Sequence, residues 1–403
     1  MFVGVVYAKS PLGDSRKRTG GNATMTNLAS IGGQAVPGES RRPVADEALV
    51  PPSSRPAAGD NADAGDGHEP PGGHQRRTYR TLRLALGVIR LGPVLILAGL
   101  IVAMTLLSPV FLTTGNAGNL LSQTAAIAVL AIGQLMVILT RGVDLSVGST
   151  LALASVLGAI AYGHGSSGWV VIAVMIASGA AVGFVNGAVY VWGRLPHPFI
   201  ITLATLSIAR GLALQISGGK PKRGVPAVVR TLGNSSFRWV PYSAFLVLGI
   251  GVLVAAVLSR MVWGRWIYAT GGNPEAARRT GIPVKSVLIS VYVMCGLLAG
   301  IAAIITSGRL NAGSPTAGNL AELDSIAAVI IGGASFLGGR GTVVNALVGA
   351  LMISVIRNGM NLLNVGAFLQ PIVIGVVIVL AVESDVVRAK LEDRFRVMQA
   401  ALS

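Results

Sequence analysis

Ionisable side chains are sparse in this sequence where they would have to do chemistry. Asp144, Arg210, Glu322, Asp324 and Arg357 stand inside or at the rim of long apolar runs. An ionisable group at membrane depth is costly, so each marks either a functional site or a paired structural one. Asp144 sits at a loop. Glu322 and Asp324 open a run, where carboxylates also serve as helix N-terminal caps. Arg210 and Arg357 lie deep enough to require internal partners. Catalytic constellations are missing from the pattern: there is no G-x-x-x-x-G-K-[ST] loop, no H-E-x-x-H and no Cys/His ligand spacing. No serine occupies a G-x-S-x-G elbow. His164 and His197 fall at run ends, which suits a structural or interfacial role. Cys295 is the only cysteine, so it can form no intrachain disulfide and reads as a buried thiol.

The elements that must position these residues are set by composition. Of 403 residues, 52% are hydrophobic and 12% charged, against about 25% charged in a soluble domain. The mean hydropathy is +0.68. The apolar runs are continuous rather than alternating, which argues against a β-barrel. With 53 glycines, a tightly packed helical bundle is favoured, because small residues let membrane helices approach closely. The expected fold is therefore an all-α integral membrane protein. The formal charge of +16 is no nucleic-acid signal, because much of it sits in short loops between apolar runs.

Residues 1–80 are rich in Pro, Gly, Ala, Ser and Asp and cannot bury a core. They read as a disordered tail, or as sequence upstream of the true start at Met25. Ten apolar runs follow, at 91–112, 117–140, 146–163, 168–192, 197–217, 242–262, 286–307, 321–338, 342–361 and 367–384. Most have the roughly 20 residues needed to cross a bilayer. The third and eighth are short, which suits tilted or interrupted helices. Ten transmembrane helices put both termini on one side, and the positive-inside rule makes that side cytosolic. Arg76, Arg77, Arg80, Arg83 and Arg90 precede the first run, and Arg388, Lys390, Arg394 and Arg396 follow the last. Arg260, Arg265, Arg278, Arg279 and Lys285 surround the 263–285 segment, which falls on the same side. The loop 218–241 disagrees, since it would lie outside with Lys220, Lys222, Arg223, Arg230, Arg238 and no acid. Either the span count is wrong or this loop meets an acidic external partner.

Within 263–285, Asn273-Pro274-Glu275 is a compact helix start: an N-cap residue, Pro at the first helical position and an early acid. Arg278 and Arg279 close the turn, Gly281 suits a left-handed C-cap and Pro283 stops the helix. The expectation is a helix of about seven residues, roughly 10 Å long, displayed on the membrane surface, against a solvated loop with one helical turn. Two other segments, 141–148 and 332–341, interrupt apolar runs with glycine and polar residues. Such breaks line the pathway in many transporters, or they are ordinary tight turns.

Several stretches together make the chain resemble the membrane-spanning permease subunits of ATP-binding-cassette importers for simple sugars, of the ribose/xylose/galactoside type. They are Gly142-Val143-Asp144-Leu145-Ser146-Val147-Gly148, then Pro198-Phe199-Ile200 through Ser207-Ile208-Ala209-Arg210-Gly211-Leu212. Gly272-Asn273 with Ala276-Ala277-Arg278 and Gly281-Ile282 comes next, followed by Glu322-Leu323-Asp324 to Ala327-Ala328, the 332–341 loop and Asn358-Gly359-Met360-Asn361-Leu362-Leu363. They cover about residues 85–385 in the family's order. Branched-chain amino-acid permeases are more distant, lacking the Asp-Leu-Ser-Val-Gly form. Arg141 stands where the family usually has glycine, Thr280 replaces a common serine, and Asn319 and Ala321 depart from a more Gly- and Tyr-rich segment.

The resemblance implies a type II importer-like bundle with a permease domain at 85–388, a coupling loop at 263–285 and a cytosolic tail at 389–403. It implies residence in a bacterial inner membrane, in contact with lipid, and pairing as a permease homodimer. A cytosolic ATPase would hold ATP and Mg, leaving no cofactor on this chain, and an extracytoplasmic sugar-binding protein would deliver the substrate. The chain would be a transport subunit rather than an enzyme. Gly272, Asn273, Ala276, Ala277, Arg278, Gly281 and Ile282 would couple to the ATPase. Asp144, Ser146, Gly148, Arg210, Asn358 and Asn361 would contribute to the pathway or its gating, with a helix cap as the other role open to Asp144. Lys220, Lys222 and Arg223 would dock the binding protein. A carrier coupled to ions is the competing class. It would be expected to bury carboxylates mid-span, where this sequence places none securely.

Overall fold

The computed structural model describes residues 92–383 and Val386. The 1–80 tail, the arginines preceding the first run and the 389–403 tail lie outside the described residues. Backbone amides inside a bilayer have no water to bond, so an apolar chain satisfies them as helices. Among the described residues every expected run carries one: α1 (Gly92–Leu107), α2 (Thr114–Leu139), α3 (Val147–Gly163), α4 (Gly168–Trp192) and α5 (Phe199–Ser217), then α7 (Tyr242–Arg260), α10 (Val284–Leu310), α11 (Ala321–Ile331), α12 (Val343–Leu362) and α13 (Gln370–Glu383). Six of them (α2, α4, α5, α7, α10 and α12) are long and apolar enough to cross a membrane. Three further helices lie between the runs: α6 (Ala227–Asn234), α8 (Val262–Gly272) and α9 (Pro274–Arg279). Four two-residue strands form two small antiparallel pairs, β1 (Lys222–Arg223) with β4 (Ala312–Gly313), and β2 (Ser236–Phe237) with β3 (Val240–Pro241).

The centre of the bundle is α2, α10 and α12. Of the most apolar window of each, 72%, 61% and 61% is buried, against 22% for α4 and α5 and 28% for α7. The outer helices therefore turn apolar side chains such as Phe199, Ile200, Leu248 and Val252 outward, to be covered by lipid or another subunit. Inside, helices meet backbone to backbone. A Cβ on Gly179 of α4 would overlap the Gly296 carbonyl of α10, one on Gly183 would overlap the Tyr292 carbonyl, and one on Gly300 would lie 2.5 Å from the Met175 carbonyl. Gly179, Gly183 and Gly187 recur every four residues on one face of α4, which is how small residues replace the missing hydrophobic drive between helices in lipid.

Helix α11 ends well short of a full crossing. The expected run at 321–338 is helical only to Ile331, and the remainder is turn. At 11 residues, α11 is about 16 Å long, roughly half the hydrocarbon thickness. The chain reaches its start from the far end of α10 through the non-helical segment 314–320, in which Gly318 and Leu320 have φ of 66° and 63°. Backbone of that kind needs a polar partner, and Arg210 of α5 supplies it. Its Nη1 donates to the carbonyls of Pro315 (2.7 Å) and Ala317 (3.0 Å). The other deep cation, Arg357 on α12, pairs with Asp324 of α11 at 2.7 Å. Asp324 is thus half of an inter-helical clamp, and the α11 N-cap is Leu320, with no side-chain cap bond.

Candidate functional site

The first break, between α2 and α3, is closed by a buried polar node. Asp144 and Ser146 are each 1% exposed. Asp144 Oδ1 accepts from the Ser146 backbone N–H (2.8 Å) and hydroxyl (2.7 Å), an Asx turn that starts α3. Asn186 of α4 donates to Ser146 Oγ at 2.8 Å and reaches both Asp144 carboxylate oxygens at 3.4 Å. Thr205 of α5 donates to Asn186 Oδ1 at 2.7 Å. Gln134 of α2, with its amide turned to face Asp144, donates to the Asp144 carbonyl and accepts its N–H, both at 3.1 Å. Four helices are therefore tied at one point, and each of these polar groups has a partner, as a buried network requires. The α3 N-cap itself is Ser146, with no side-chain cap bond, and Asp144 braces it from two residues upstream. Gly148, the next candidate, is pressed against the 314–320 segment, where a Cβ would overlap the Gly318 carbonyl and Glu322 Oε2.

Asn358 is also held internally. It exchanges two amide bonds with Asn116 at the start of α2, of 2.8 and 3.0 Å. Asn361 is exposed and accepts from Gln370 at 2.8 Å. Arg210 straps the non-helical segment described above. The six candidate pathway residues are thus not brought to one place.

The coupling segment has the expected ends. Asn273 Oδ1 accepts from the backbone N–H groups of Glu275 (3.1 Å) and Ala276 (3.0 Å), with Pro274 at the first helical position. After α9, Gly281 N–H donates to the Arg278 carbonyl (3.2 Å) and Ile282 N–H to the Ala277 carbonyl (3.0 Å). This is a Schellman cap, with Gly281 at φ +82°. The helix has six residues rather than about seven. Its exposed face carries Glu275, Ala276, Arg278 and Arg279. Glu275 pairs with Arg279 at 3.3 Å and Arg278 at 3.8 Å, solvated contacts worth at most about 1 kcal/mol. Ala277 is the exception among the expected contact residues. It is 4% exposed and faces its own bundle, because a helix this short turns one side of its single turn and a half inward.

The 263–272 stretch, expected as part of a loop, instead belongs to α8. Trp263 Nε1 donates to Ser290 Oγ of α10 (2.8 Å), Tyr268 donates to the Gly341 carbonyl (2.8 Å), and Ile267 is fully buried. At the end of α8, Arg141 Nε donates to the Gly271 carbonyl at 2.6 Å and its Nη2 to the Gly272 carbonyl. The Gly339 N–H of the second break donates to the Leu139 carbonyl at 2.9 Å. The two glycine-rich breaks therefore meet, with the α8–α9 elbow between them.

The basic loop lies elsewhere. Lys220, Lys222 and Arg223 are exposed and make no ion pair among the described residues. Strand β1, which carries Lys222 and Arg223, pairs with β4 immediately after the end of α10, whereas α9 immediately precedes its start. The 27 residues of α10 separate the two by about 40 Å, more than a bilayer core of about 30 Å. The exposed basic loop and the exposed short helix thus sit at opposite ends of a full crossing.

Residues 116–382 match a family model described as a branched-chain amino acid transport system permease component. The chain belongs to this family of import permeases. Its curated relatives include the ribose import permease of Escherichia coli K12, 42% identical over 297 residues, covering 71% of this chain and 90% of the relative. The ribose import permease of Bacillus subtilis is 41% identical, covering 73% and 92%. The D-allose transport system permease of Escherichia coli K12 is 38% identical, covering 73% and 90%. These relatives bear out the resemblance to sugar-importer permeases read from the motifs. No solved structure matches the chain. Gln134, Asn186, Thr205 and Asn116 were missed as site residues. The signal was present for all four, since each is a polar side chain inside or opening an otherwise apolar run.

Proposed function

We propose that this permease is the membrane subunit of an ATP-driven, binding-protein-dependent importer of a monosaccharide, a pentose or similar simple sugar, in a bacterial inner membrane. Two copies form the pathway, and the outward apolar flanks of α4, α5 and α7 meet lipid or the second copy. ATP and Mg are held by a separate ATPase, and this chain carries no cofactor. The observation that carries the reading is the placement of two exposed polar surfaces at opposite ends of α10. The face of α9 formed by Glu275, Ala276, Arg278 and Arg279 receives the ATPase on the cytosolic side. The Lys220, Lys222 and Arg223 loop receives an acidic patch of the sugar-binding protein outside. The basic loop that broke the positive-inside pattern is then explained by its partner, with no change in span count.

Substrate class rests on relatives that import ribose and allose and match over nine-tenths of their length. The family model's description keeps a branched-chain amino acid as the second reading. Reconstitution with the ATPase and the binding protein distinguishes them. Vesicles should take up radiolabelled D-ribose or a related monosaccharide, and not leucine, only with ATP inside the ATPase compartment and binding protein on the other side. Uptake driven by an ion gradient without either partner would contradict the reading. In the same assay Ala276→Trp should hydrolyse ATP with little uptake, and charge reversal of Lys220, Lys222 and Arg223 should abolish stimulation by the binding protein.

A further inference from the structure

Arg141 occupies a backbone position that a residue with a side chain enters at a cost. Its φ is +64°, in the left-handed region that favours glycine. Nothing in the α2–α3 turn demands a side chain there. The guanidinium instead leaves its own turn and crosses to the elbow, where Nε and Nη2 bond the carbonyls of Gly271 and Gly272. Those are the last two residues of α8, directly before the Asn273 cap that starts α9.

Everything around this contact is backbone in close approach. A Cβ on Gly271 would overlap the Leu139 carbonyl and lie 2.8 Å from the Gly339 nitrogen, and one on Gly338 would lie 2.5 Å from Arg141 Cγ. Gly339 N–H ties the α2 end to the second break through the Leu139 carbonyl, and the Arg141 fork ties it to the elbow. On its other side Arg141 is three residues from Asp144, whose peptide is held in both directions by Gln134 and whose carboxylate holds the start of α3. A planar fork donating to two successive carbonyls fixes orientation as well as distance.

We propose that Arg141 is a positioning residue, a latch that makes the α8–α9 elbow and the α2–α3 break move as one body. Displacement of α9 then reaches the buried Asp144 node without deforming α8. This rests on the reading of α9 as the surface that the ATPase moves.

Arg141→Gly is the informative variant. Glycine accepts the left-handed backbone and removes only the fork, so folding and membrane insertion are retained. Arg141→Lys keeps the charge and loses the two-point geometry. In hydrogen–deuterium exchange on the full purified chain in nanodiscs, both variants should lose protection at residues 270–273 by about tenfold, while α10 is unchanged. In reconstituted importer, sugar taken up per ATP hydrolysed should fall about five- to tenfold in Arg141→Gly, with an intermediate loss in Arg141→Lys. Unchanged protection at 270–273 overturns the latch whatever the complex transports. Wild-type uptake per ATP in Arg141→Gly overturns it as well. If the wild-type complex moves no sugar, the functional reading fails while the exchange experiment still decides whether the latch exists.

Discussion

The two glycine-rich breaks in the helices look alike in sequence and are held by opposite means. At 141–146 the chain closes its backbone with side chains: Asp144, Ser146, Asn186, Thr205 and Gln134 form a node drawn from four helices, all of it buried. At 332–341 the closure is mostly backbone. Gly333, Gly338, Gly339 and Gly341 take positive φ values, Ser335 N–H bonds the Arg340 carbonyl, and Gly339 N–H reaches Leu139 across the junction. A break closed by a satisfied buried network is rigid, because moving it strands several polar groups at once. A break closed by glycine conformations can be redistributed over several residues at small cost, as hinges are. The first break should therefore resist displacement more than the second.

Perturbation of each break sharpens that contrast. The largest effect is expected from Asp144→Ala, which leaves the Ser146 N–H and hydroxyl without their acceptor, while the Asn186 amide N–H keeps only Ser146 Oγ. The loss should be about 3 kcal/mol or more, since each stranded buried group costs about 1–3 kcal/mol. It is read as the midpoint of denaturant unfolding in detergent. Asp144→Asn keeps an oxygen acceptor toward Ser146 and should lose less than half as much. Equal losses in the two variants would show that charge, and not the turn, is what the node needs. Next comes Gly271→Ala, at the junction where both breaks meet the elbow. Its Cβ has no room against the Leu139 carbonyl, and overpacking of this kind costs about 1–3 kcal/mol, visible as a lowered Tm.

Asp324→Asn, which opens the clamp between the helices flanking the second break, should cost about 1–2 kcal/mol. The value is below that of a fully buried pair because the Arg357 side chain is 30% exposed and water screens it. Gly338→Ala places a side chain at φ +80° and should cost about 1–2 kcal/mol, while slowing transport more than it lowers Tm if the second break is the one that moves. The smallest effect is Glu275→Gln on exposed α9, below about 0.5 kcal/mol in stability, with any change confined to ATPase coupling.

Much of this fold could be read from the sequence, because length and apolarity alone decide what crosses a bilayer. The ten runs, the caps of α9 at Asn273 and Gly281, and the internal partners required by Arg210 and Arg357 all follow from local rules. What could not be read depends on packing between distant residues. Helix α8 carries three glycines and an arginine and reads as loop, yet it is fixed by Ser290 and the Gly341 carbonyl, which lie 27 and 73 positions from their α8 partners. Asp144 was visible as a candidate, but its partners Asn186 and Gln134 lie in other helices. The inward side of α9 needed the bundle beneath it, so Ala277 could not be told from Ala276.

Helix α9 and the basic loop must face opposite sides of the membrane to meet their two partners, and side-specific thiol labelling tests this most directly. The native Cys295 is buried, so single variants Ala276→Cys and Lys222→Cys report alone in sealed inner-membrane vesicles of known orientation. A membrane-impermeant maleimide should modify Ala276→Cys only from the cytosolic face and Lys222→Cys only from the opposite face. Modification of both from the same face would contradict the arrangement and, with it, the assignment of the two docking surfaces.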